Sequence, residues 1–154
     1  IVQFTIMPEP FLREAEKLGF RDLLHIGSLK IPFWWNGILT RESIIKVKRP
    51  LIMKLMRAMV EAIHFIKTEK EAAKAIIGRN LHISDPEGLE RAYKDYSSVF
   101  PEVPYPHPEG VKTILDDMAP RNPRAATADP RSFVDMSLVG ELDSSGFIKQ
   151  LYKR

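Results

Sequence analysis

Cysteine is absent from the 154 residues, which removes disulfides, thiolate metal sites and cysteine nucleophiles together. Long apolar runs are missing as well. No window approaches the ~20 uninterrupted apolar residues that a bilayer-spanning helix needs, and no basic, apolar, small-residue succession reads as a secretory signal. The four histidines, His25, His64, His82 and His107, stand far apart with no paired spacing on one helical face, so a metal site has no support. There is no glycine-rich phosphate loop, no Gly-x-Ser-x-Gly elbow and no carboxylate pair spaced for acid-base work. Glu14 and Glu16 are two apart on a helix and do not share a face, while Asp116 and Asp117 are adjacent. No catalytic residue and no cofactor is expected, and the chain does not read as an enzyme. Charge of one sign is scarce too. The 23 basic and 20 acidic residues leave +3, without the clustered basic and aromatic footprint of a nucleic-acid binder, so nucleic acid is not an expected partner.

What is present is an ordinary globular composition, 44% hydrophobic and 28% charged, enough for a core of domain size. The opening IVQFTIM has the β-branched and aromatic enrichment of a buried strand, and so apolar a beginning reads as the inside of a domain. PEPFLREAEKLGF follows with helix punctuation: Glu9 at the positive end of the dipole, Pro10 at the first helical position, and Gly19 where a left-handed cap is expected. A second short strand is expected around residues 23–26 and a third in IPFWWNGIL, with Asn36-Gly37 as a turn or bulge.

From Thr40 the pattern is helical. Pro50 opens a segment whose Leu51, Ile52, Leu55, Met56, Met59, Val60, Ile63 and Ile66 keep the helical period and read as one buried face. The capping-box pattern Thr68-Glu69-Lys70-Glu71 starts another helix, with Gly78 as its stop, and Ser84-Asp85-Pro86-Glu87 starts the next, carrying Leu89, Ala92, Tyr93 and Tyr96. Pro108 or Glu109 begins a helix with Val111, Ile114, Leu115 and Met118, and APRNPRAATADPR reads as irregular. Asp129-Pro130 restarts a helix through Val134, Val139 and Leu142, and DSSGFIKQLYKR a short last one with an Asp/Ser start. Three strands in the first 40 residues are too few for an independent buried sheet, so further sheet partners are expected.

Four stretches, IMPEPFLREAEKLGF, GILTRESIIKVKRPLIMKLMRAMVEAI, TEKEAAKAI and FVDMSLVGELDSSGFIKQLY, stand in an order that resembles the carboxy-terminal half of a bacterial ABC-importer substrate-binding protein. The group it is most similar to serves nitrate, sulfonates, taurine and the pyrimidine precursor of thiamine. The resemblance implies an α/β, periplasmic-binding-protein type II-like fold that is incomplete here. Residues 1–30 would end the second lobe, 31–40 would form the crossover or hinge strand, and 41–154 the helical carboxy-terminal part of the first lobe. It further implies a small polar or anionic organic ligand held between two lobes and delivered to an ABC transporter permease. The expected location is periplasmic or extracytoplasmic, with any lipid anchor outside this chain. The pyrimidine-precursor synthases, which resemble the same fold, offer an enzyme alternative, although their cysteine-rich motif has no counterpart in these residues. A helical protein-interaction module over 41–154 is the third reading, and it leaves the three expected strands unexplained.

The expected ligand-binding residues are Met7, Pro8, Glu9, Trp34, Trp35 and Asn36. Met7-Pro8-Glu9-Pro10 joins a strand end to a helix start, where open α/β sheets place ligands and free N–H groups favour anions. Glu9 either complements the helix dipole or accepts hydrogen bonds from an amine-bearing ligand. The adjacent Trp34 and Trp35 would point to opposite sides of a strand, so one can pack inside while its neighbour walls the pocket, and alternation does not say which. Asn36 offers a polar contact or a turn. The basic run Lys46, Lys48, Arg49, Lys54 and Arg57 reads as a wet surface or as a docking patch for the transporter.

Overall fold

A computed structural model describes residues 4–8, 11–34 and 36–153. Of these residues 65% are helical and none is in a strand. The α/β expectation is thereby corrected. Residues 4–8 are irregular, 21–25 run into a 3-10 turn at Ile26–Leu29, and 37–41 are again irregular, while residues 1–3 lie outside the described set. A strand is stable only when its backbone groups join a ladder, and β-branched or aromatic propensity without a partner does not supply one. The apolar side chains that suggested strands consequently face outward: Phe4, Leu23 and Leu39 are 78%, 80% and 87% exposed.

The elements in chain order are α1 (Phe11–Lys17), α2 (Glu42–Val47), α3 (Arg49–Thr68), α4 (Lys70–Leu81), α5 (Pro86–Val99), α6 (Pro108–Met118), α7 (Pro123–Thr127), α8 (Ser137–Ser144) and α9 (Phe147–Leu151), with a second 3-10 turn at Pro130–Phe133. They divide into two compact units. One holds residues 1–28 and 62–102, the other 29–61 and 103–154, so α3 contributes to both.

In the first unit α4 and α5 pack together, and Ala15, Ile63, Ala73, Ala92 and Tyr93 are buried. The start of α5 falls one residue later than the capping-box pattern implies: Asp85, not Ser84, is the N-cap, its carboxylate accepting the Gly88 N–H at 2.8 Å, and Pro86 opens the helix. Gly19 takes the left-handed conformation after α1 (φ +89°), where its missing Cβ removes the steric penalty, and Phe20 N–H reaches back to the Ala15 carbonyl. Two other expected boundaries move. Thr68 ends α3 with its hydroxyl donating to the His64 carbonyl instead of capping α4, and α4 runs past Gly78 to a left-handed His82, where Ile83 N–H closes on the Gly78 carbonyl at 2.9 Å.

In the second unit Val60, Leu142 and Ile148 form one buried cluster, flanked by Met53, Met56, Val103, Phe147, Leu151 and Tyr152. Val111, Leu115 and Ala125 form another, against which Trp34, Ala128 and Val134 pack. The apolar arc of α3 is wider than its buried face. Ile52, Val60 and Ile63 are buried, but Leu51, Leu55 and Met59, spaced four apart, form a stripe that stays exposed. The stretch expected to be irregular contains α7, capped by Asn122 accepting from Arg124 N–H, and Asp129 caps only a 3-10 turn, so α8 starts later, at Ser137. The last helix starts from a left-handed Gly146, not from the Asp/Ser pair.

Candidate functional site

Met7 and Pro8 lie in the first unit, exposed, on the approach to α1. The Pro8 carbonyl accepts the Leu12 N–H at 3.2 Å, so the helical turn begins at once. Glu9 lies outside the described residues. α1 has only seven residues, and so short a stack of peptide dipoles gives a ligand little field. Two of its charged side chains, Arg13 and Glu16, are engaged with α5 instead. The Arg13 guanidinium contacts Asp85 at 2.6 Å and Glu87 at 2.8 Å, and Arg91 contacts Glu16 at 3.1 Å. Asp85 is held below the usual carboxylate range, first by the Gly88 N–H and then by Arg13, and Glu87 is lowered by the hydrogen bond from Arg13. Beside them Glu90 is lowered by Lys70 at 2.8 Å and Lys74 at 3.1 Å.

Trp34 and Asn36 belong to the second unit. Trp34 is half-buried on the cluster of Val111, Leu115 and Ala125. Residues 33 and 34 cross α6 at Gly110, where a Cβ would stand 3.0 Å from the Trp34 nitrogen, and a Cβ on Gly37 would stand 2.7 Å from the indole nitrogen. Glycine at both positions lets the backbone and the indole lie this close. Trp34 thus packs within a helical cluster, and the strand that would have sent its neighbour to an opposite face is not formed among the described residues. Trp35 lies outside them. Asn36 is exposed.

Two surface hollows lie in the second unit. The larger, about 280 Å³, is lined by Pro108, Glu109, Lys112, Asp129, Pro130 and Arg131, and the smaller, about 180 Å³, by Glu61, Phe147, Gln150 and Leu151. The side chains of the larger one are already committed in part: Lys112 is paired with Asp116 at 2.6 Å, and Asp129 accepts from Arg131 N–H at 2.9 Å. Neither hollow includes Met7, Pro8, Trp34 or Asn36. Pro108 or Glu109 and Asp129-Pro130 were the sequence signals near the larger hollow, and both signalled helix starts. In the basic run, Lys46 pairs with Glu42, Arg49 with Glu141 at 2.8 Å, and Arg57 sits 5.1 Å over the Phe147 ring. Among the described residues no group of three or more His, Cys, Asp or Glu could hold a metal, and no helix is long and apolar enough to cross a membrane.

Comparison of the chain with family models, with curated proteins and with solved structures produced no match in any of the three.

Proposed function

We propose that this chain is part of the solute-binding component of an ABC importer, of the group that serves nitrate, sulfonates, taurine and the thiamine pyrimidine precursor. It takes a small polar or anionic organic molecule outside the cytoplasm and passes it to a membrane permease. The observation that carries the proposal is the order of the four phrases along nearly the whole chain, from IMPEPFLREAEKLGF to FVDMSLVGELDSSGFIKQLY. The first phrase contains α1 and its left-handed Gly19, without the strand expected before them, and the last contains α8 and α9. The exposed apolar side chains from Phe4 to Val47 also favour a chain that works against further polypeptide surface.

Tryptophan fluorescence tests the proposal on the product of the complete reading frame that contains these residues. Titration with taurine, an alkylsulfonate, nitrate and an aminopyrimidine is expected to change the emission for one ligand class. Trp34→Phe and Trp35→Phe are expected to alter that change unequally, because Trp34 is already packed on α6. Equal effects of both, or no change with any ligand, count against it.

A second reading is favoured by one specific observation. With no strand among the described residues, the objection that three strands raised to a helical protein-interaction module no longer applies. A stoichiometric complex with another polypeptide, together with indifference to every ligand above, would select it.

A further inference from the structure

The short helix α1 differs from the other elements in how it is held. One side chain in it, Ala15, is buried, while Phe11 beside it is 61% exposed. Seven residues do not sustain a helix in water without tertiary support. The side-chain links that join it to α5 are ionic. Arg13 lies across the first turn of α5, where it meets both the N-cap carboxylate of Asp85 and the carboxylate of Glu87, and Arg91 reaches from α5 to Glu16. The seat for the arginine is Gly88: a Cβ there would come within 3.1 Å of Arg13 Cδ. The remaining charges of α1, Lys17 and Glu14, pair with each other at 2.7 Å.

We propose that α1 is a detachable strap, clamped onto the amino-terminal end of α5 by Arg13 and Arg91 and released by ionic strength. These pairs are half-buried and reach solvent chiefly through Glu87, where salt screens them, whereas apolar contact is not weakened by salt. Release is expected to melt the helix, because the burial of Ala15 alone does not hold so short a segment. It also frees Met7 and Pro8, since the Pro8 carbonyl is tied to α1 through Leu12 N–H. The inference stands on the ion-pair geometry and does not depend on the ligand reading.

Hydrogen exchange on the whole chain, read by mass spectrometry over the amides of α1, tests it. Raising salt from about 0.01 M to about 1 M, which shortens the Debye length from about 30 Å to about 3 Å, is expected to lower α1 protection roughly three- to ten-fold. Protection in α4 and α5 is expected to stay unchanged. Arg13→Gln at low salt should reproduce the loss and abolish the salt response. If that variant does not fold, Glu87→Gln, a change at an exposed side chain, should give a smaller loss in the same amides. Protection of α1 that ignores both salt and substitution overturns the proposal, as does a loss spread equally over α1, α4 and α5.

Discussion

Arg13 and Trp34 show two ways in which a single side chain locates a segment. Arg13 acts through charge, and its consequence is a pH dependence with a definite sign. Asp85 and Glu87 are both depressed in the folded protein, so their contribution is fully present above the ordinary carboxylate pKa of about 4 and disappears as pH falls through the lowered values. Thermal melts are expected to show acid destabilisation that is smaller in Arg13→Gln; an identical acid limb in both proteins would contradict the assignment. Trp34 acts through fit. Gly110→Ala puts a methyl 3.0 Å from backbone that cannot move aside cheaply, and a loss of about 1–3 kcal/mol is expected in denaturant unfolding. At this scale the sequence was legible where a residue acts on its own neighbours, as Asp85 and Gly19 do. It was not legible for Trp34, whose partner surface on α6 lies more than seventy residues further along the chain.

Helices were the readable elements. The periodic segments became α3, α5 and α6 near their expected starts, because Pro50, Asp85-Pro86 and Pro108 fix helical entry locally. Stops and faces were less readable. Gly78 looked like a terminator, yet the helix ends at His82, and Asp129-Pro130 yields a single 3-10 turn because the chain is extended again at Val134. The face of α3 was misjudged for a related reason: periodicity marks apolar positions but not what covers them. Leu51→Ala, at a 60% exposed position, is therefore expected to change stability by no more than about 0.5 kcal/mol. Leu142→Ala, in the cluster that α3 joins through Val60, is expected to cost about 2–5 kcal/mol. Similar costs for the two would show that the exposed stripe is covered in solution.

Over the whole molecule, the expected sheet and the observed helices diverge in the first forty residues. Phe4, Leu23, Leu24, Phe33 and Leu39 have the composition of strands, but no ladder forms among the described residues and the side chains remain exposed. Fold class was thus misread, because it depended on strand partners, whereas local helix signals located individual helices only. The candidate site divides in the same way. Met7, Pro8 and Asn36 are exposed and Trp34 is packed, while the ligand itself was suggested by the order of phrases and not by any concave arrangement of side chains. Function is therefore decided most directly by calorimetry on the product of the complete reading frame, titrated with taurine, an alkylsulfonate, nitrate and an aminopyrimidine. One-to-one binding of one of these classes with micromolar or tighter affinity is the expected result, and the absence of binding by all four would contradict a solute-binding role.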